Sequence, residues 1–111
     1  MKRRMVPGVV LLTLAQSALP ALAGGDATAG KTVYIKSCAS CHGPNGEGKD
    51  AIAKMFKTEM KPLNSKEVQA KSDAELRKDI TEGTGKMKPV KGLSDKDLDN
   101  VIAFVRTLAK K

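Results

Sequence analysis

Cys38-Ala39-Ser40-Cys41-His42 takes up both cysteines and the only histidine of this 111-residue chain. Two thiols separated by two residues and followed at once by an imidazole form the C-x-x-C-H pattern, and each part of it has a chemical use. Cysteines at that spacing project from nearly one side of a helical turn. Their sulfurs can therefore reach two vinyl groups of a single porphyrin and join them as thioethers, while the adjacent imidazole is held beneath the iron as an axial ligand. A thioredoxin-like dithiol would need a strand–helix–strand setting. A plain disulfide across so short a loop would remove little unfolded-chain entropy. One His and two Cys also exclude a His-pair metal site, a zinc ribbon with its own four ligands and a multi-bridge disulfide scaffold. The expectation is one covalently attached haem c per chain, bound through Cys38 and Cys41, with His42 as the proximal iron ligand.

A second axial ligand from this chain cannot be histidine or a third cysteine, which leaves the methionines Met55, Met60 and Met87. Met87 lies in a turn-rich segment, 83–92, with Gly83 and Gly85 ahead of it and Pro89 behind to stiffen the backbone. It is far enough beyond His42 for the chain to pass around a ring and return on its other face. Met55 and Met60 flank a short apolar segment and read as core fillers or surface groups, although either of them, or an open site, stays as an alternative. Met87 is the expected distal ligand. A soft thioether favours ferrous iron, so His/Met ligation raises the reduction potential. With both axial positions filled, no coordination place is left for substrate, which points to electron transfer and not to an enzyme. The alternative is a haem-based ligand binder or weak peroxidase with an open sixth site.

The elements that must position these residues read as all-α. A helix is expected over 27–37, with Asp26 as N-cap and Ala27, Gly30, Val33 and Tyr34 on one side. A second starts at the capping box Ser72-Asp73-Ala74-Glu75, carries Leu76 and Ile80, and stops at Gly83. A third starts at Ser94, with Asp97 at N3, and runs Leu98, Val101, Ile102, Val105 and Leu108 along one stripe. Residues 43–48 must be loop, 51–57 suit a short helix, and 61–69 read as loop interrupted by Pro62. No alternating strand pattern is present.

Ahead of this lies Lys2-Arg3-Arg4, then an uncharged run over 5–23 that ends in Ala21-Leu22-Ala23. These are the parts of a secretory signal. Pro7, Gly8, Gln16, Ser17 and Pro20 weaken the rival reading as a membrane anchor. The expected division is a signal peptide over 1–23 and one domain over 24–111, exported to the periplasm as a soluble protein. Thioether bonds would also spare Cys38 and Cys41 the oxidation that export brings. Aromatic residues make up only 3% of the chain, so a large flat apolar cofactor would help to fill the core of so small a domain.

With these features the chain resembles a small monohaem class I cytochrome c over essentially all of 26–109. The resemblance rests on Gly30 and Tyr34 before C-A-S-C-H, the G-P-N-G-E-G loop after it, the K-M-K-P segment, and the last helix with Val101 and Phe104. It implies a fold of three main helices and short helical turns around the haem. It also implies close crossing of the first and last helices at Gly30 and Phe104, haem held between His and Met, and one ring edge exposed. The chain differs in placing Lys88 between Met87 and Pro89. It has no Trp to hydrogen-bond a haem propionate, so other groups must take that role. The partners implied are redox proteins. Lys54, Lys57 and Lys61 around the central loop, and Lys86, Lys88 and Lys91 around the proposed ligand, suit acidic docking surfaces. The reading of the same lysines as an ordinary solvated surface weighs equally. Nucleic acid is not expected, because no aromatic–basic clusters occur. Nor is stable membrane insertion expected after signal cleavage, and the carrier should be a monomer.

Overall fold

The computed structural model describes residues 24–110, together with Gly8; the signal-peptide expectation for 1–23 lies outside these described residues. Six α-helices follow in order among the described residues: α1 Ala27–Ser37, α2 Ala39–His42, α3 Asp50–Phe56, α4 Lys66–Gln69, α5 Asp73–Glu82 and α6 Asp95–Thr107, closed by a 3-10 turn Leu108–Lys110. Among the described residues there is no strand, only one isolated bridge between Thr84 and Met87. No described helix is long and apolar enough to cross a membrane.

The helix starts follow their caps. Asp26 accepts hydrogen bonds from the Thr28 and Ala29 N–H groups at 2.9 and 3.3 Å. Ser72 and Glu75 form a complete capping box, and so do Ser94 and Asp97, so the shorter aspartate closes the motif as well as glutamate does. The structure differs from the loop expected over 61–69 in one helical turn: α4 begins at Ser65, whose Oγ accepts from Val68 N–H at 3.3 Å. The serine cap was the available signal, and Pro62 lies far enough upstream not to oppose it.

The core is the crossing of α1 and α6. The expected stripe of α6 is buried in full, with Leu98, Val101, Ile102, Val105 and Leu108 all at 8% exposure or less. Against it α1 buries Gly30 and Tyr34. A Cβ built at Gly30 would land on the Asn100 carbonyl oxygen and its carbon, so the crossing is a backbone-to-backbone approach. The glycine is at the expected crossing, but its partner is the Asn100–Val101 peptide; Phe104 instead meets Tyr34, with ring centroids 5.0 Å apart and planes tilted at 47°. Asn100, which the hydrophobic stripe did not single out, is buried and accepts from Asp26 N–H at 2.8 Å, tying the start of α1 to α6.

Arg106 joins α6 to the other helices. Its guanidinium donates to Asp73 Oδ1 at 2.7 Å and to the carbonyls of Lys71 and Gln69 at 2.7 and 3.1 Å. Arg77 of α5 pairs with Asp99 and Asp95 of α6.

Replacing Gly30 by alanine tests the crossing, because two effects of opposite sign compete. At an open helix site the change would stabilise by about 1 kcal/mol. Here overpacking against the Asn100 peptide should destabilise by about 1–3 kcal/mol or more, measured by denaturant unfolding of the holoprotein. An unchanged or raised midpoint would contradict the close approach.

Candidate functional site

The C-x-x-C-H residues do not continue α1 but follow a break in it. Cys38 has φ −124° and ψ −35°, ends α1 by donating to the Tyr34 carbonyl at 2.8 Å, and serves as N-cap of the single turn α2. Its own carbonyl accepts from the Cys41 and His42 N–H groups at 3.2 and 3.0 Å. The turn places Cys38, Cys41 and His42 on one cleft. Both thiols are free and half-buried.

Gly43, with φ +84°, then turns the chain back. Tyr34 Oη donates to the Gly43 carbonyl at 2.5 Å, and His42 O accepts from Gly48 N–H at 2.7 Å. The expected 43–48 loop is thereby closed over the end of α2, and Leu63 N–H donates to Gly46 O at 2.7 Å to bind in the next segment. Tyr34 is fully buried. Burial first, then Cys38 and Glu47, raise its ionisation well above the usual value near 10.

Two chambers meet at this turn, of about 250 and 170 Å³. Cofactor-sized ligands occupy pockets of about 300–1,000 Å³, so the joined cleft and not either chamber suits a large flat group. Cys38, His42 and Met87 line both chambers. Cys41, Ile52, Phe56 and Met60 face the first, while Tyr34, Leu76, Ile80 and Val101 face the second. Met87 is thus brought to the motif from the far side of the sequence. Met60 lines one chamber only, and Met55 is 66% exposed and lines neither.

The Met87 loop is held tightly. Thr84 and Met87 exchange two backbone hydrogen bonds, at 3.1 and 2.8 Å, around a turn whose first central residue is Gly85 at φ +56°. Gly83, at φ +82°, lies under the Met87 carbonyl and the Pro89 ring, where no side chain would fit. Val90 N–H donates to Ile80 O at 2.8 Å, which fastens the far end to α5.

The residues fit a covalently held haem. Burial lowers the His42 pKa, so the imidazole stays neutral with a lone pair available to a metal. Its Nδ1 is buried and has no hydrogen-bond partner, a cost that a purely structural histidine would be expected to avoid. Burial, and secondarily Cys41, push the Cys38 thiol up to about 11. A thiol so placed is poor in reactive thiolate, and as a neutral thioether it would cost nothing to bury. Of the six lysines singled out, Lys86 and Lys88 line the first chamber and Lys61 the second; Lys54, Lys57 and Lys91 line neither.

Tyr34 should act as the peg of this turn. Tyr34→Phe keeps the ring packing but loses the bond to Gly43, whose carbonyl still accepts from Gly46 N–H at 3.1 Å. The expected loss is about 0.5–1.5 kcal/mol in denaturant unfolding. Because its folded-state pKa is raised, the contribution linked to its ionisation is whole below the ordinary value near 10 and drains as pH rises past it. As the only tyrosine, it can be followed by ultraviolet absorbance, and ionisation in the folded state at its ordinary pH would contradict the burial.

The chain is similar to known proteins. The family model described as Cytochrome c matches residues 27–109. Cytochrome c-554(547) of Halothiobacillus neapolitanus is 39% identical over 89 residues, which covers 76% of this chain and 98% of that protein. A solved structure titled KustC0563 c-type cytochrome superposes with a TM-score of 0.62 at 28% identity, covering 71% of this chain and 95% of its own.

Proposed function

The chain belongs to the cytochrome c family and is a haem-based electron carrier with covalently bound haem c, and from that premise we propose that it is a soluble periplasmic shuttle between redox proteins, with Cys38 and Cys41 as the attachment residues and His42 and Met87 as the iron ligands. The observation that carries the ligand assignment is the lining of both chambers by His42 and Met87 around Cys38. When bound, the haem supplies a reversible one-electron change at iron.

The rest is work for the chain. His42 offers a neutral nitrogen because its surroundings exclude water. Met87 offers a soft sulfur that favours the ferrous state, and the paired backbone bonds with Thr84 keep it from swinging away. Ile52, Phe56, Leu76 and Val101 supply apolar walls on the two chambers. A site that changes little between two oxidation states wastes little energy in rearrangement, and these tethers serve that end. The signal-like run over 1–23 supports the export reading. Lys86 and Lys88 are exposed on the first chamber, and among the described residues no ion pair involves either. They form a positive lip suited to an acidic partner.

Met87→Ala tests the ligand set. The ferric protein should lose its methionine-to-iron charge-transfer band, its midpoint potential should fall, and the reduced form should begin to take up carbon monoxide. Rapid carbon monoxide uptake by the unaltered protein would favour the ligand-binder alternative instead. Exchanging Lys86 and Lys88 for glutamate should slow electron exchange with an acidic redox protein and flatten its salt dependence. Stopped-flow rates over a salt series would check this, and an unchanged slope would remove these lysines from docking.

A further inference from the structure

A haem carries two carboxylate arms on the edge opposite its vinyl groups, so a cleft that receives it must meet negative charge at the end away from the cysteines. The first chamber, which Cys41 lines, has Ile52, Phe56 and Met60 on its walls and its charges only at exposed Lys86 and Lys88. In the second chamber, which Cys41 does not line, charge enters the apolar lining at Lys61, Lys71 and Asp79. Lys61 is exposed and is drawn to Glu67 at 3.0 Å and Glu59 at 3.8 Å. The other two differ. Lys71 Nζ lies 2.6 Å from Asp79 Oδ2, and the side chains are 39% and 24% exposed.

An ion pair set into an apolar wall is costly to desolvate and is weak evidence for stability. This one is also fixed in position from several directions. The Lys71 carbonyl accepts from Arg106 Nη2 at 2.7 Å, and its N–H donates to Val68 O at 3.1 Å. Arg106 is itself anchored on Asp73. The main chain of Lys71 is thus tied to α6 and α4, and its side chain to α5. An ammonium has three donors, and Asp79 takes one. What results is a preorganised cation on the wall of the cofactor cleft, with donor capacity left over. We propose that Lys71, held in place by Asp79, is the counter-charge for a haem carboxylate, the role for which this chain has no tryptophan. The proposal rests on the cleft reading above, and Lys71 is a positioning and charge-compensating residue, not a catalytic one.

A positive charge beside the ring favours ferrous over ferric iron, and the neighbouring Asp79 charge opposes it. The test uses holoprotein bearing Lys71→Gln, Lys71→Arg or Asp79→Asn, with a redox titration and the resonance Raman carboxylate-bending band of the ferrous haem. Lys71→Gln should shift that band toward weaker hydrogen bonding and lower the midpoint potential, and Lys71→Arg should restore both. Asp79→Asn should raise the midpoint and shift the band the other way, as the ammonium turns wholly to the haem. If the band of Lys71→Gln stays in place while covalent haem and axial-ligand spectra are intact, the pair is only a clamp between α5 and the segment before it, and the proposal falls. Should Lys71→Gln not accumulate as holoprotein, Asp79→Asn decides, and an unmoved band and midpoint overturn the proposal. A protein that acquires covalent haem but lacks the methionine band fails the ligand assignment instead, a result distinct from either.

Discussion

A missing methyl group governs this structure. Because Gly30 has no side chain, α1 lies with its backbone on the Asn100–Val101 peptide of α6, and that approach sets the spacing of the first and last helices. It brings the Tyr34 ring onto Phe104, a tilted contact worth about 0.5–1.5 kcal/mol beyond the area it buries. The residue seated there then holds the motif locally: the Tyr34 hydroxyl donates to the Gly43 carbonyl, and the Tyr34 carbonyl accepts from Cys38 N–H as the closing i, i+4 bond of α1. The chemically active turn is therefore suspended between two hydrogen bonds to one buried residue. A wider crossing would move both anchor points together, and with them both sulfurs and the imidazole.

The same turn explains how a domain with few aromatic rings closes its core. Leu76, Ile80, Val101 and Ile102 belong to the packed interior, yet they also line the cleft. The apolar cofactor and the apolar core are two sides of one layer, so covalent attachment works as a folding constraint as well as a means of holding iron. A small chain buries a modest share of its surface alone, and a large flat group fixed by thioethers adds to that share without adding residues.

Charge is distributed to serve this layer. Asp73 goes to Arg106, Asp95 and Asp99 to Arg77, Glu59 and Glu67 to Lys61, and Asp79 to Lys71. The acidic groups are thus largely engaged on the α5–α6 side. Lys86 and Lys88, beside the methionine loop, are left to give the cleft mouth its positive sign. The exposed pairs of Lys61 with Glu59 and Glu67 add little to stability, and the arrangement of all these pairs matters more for where unbalanced charge remains.

Local chemistry was readable along the chain. The C-x-x-C-H residues announce their use through type and spacing alone, Asp26, Ser72 and Ser94 announce helix starts, and the apolar stripe of α6 announces its buried face, because each depends on neighbours within a turn or two. Composition narrows the distal ligand to three methionines, and the Gly83, Gly85 and Pro89 setting of Met87 singles it out as the expected one. What could not be read depends on groups brought together from distant positions. That Gly30 meets the Asn100 peptide, that Asn100 is buried to receive Asp26, and that Arg106 gathers Asp73, Gln69 and Lys71 are facts of separation in space, with no periodic signal to betray them. The pairing of Lys71 with Asp79 on the cleft wall is of the same kind: a lysine in a loop and an aspartate on a helix look like ordinary solvated charges until packing removes the water between them.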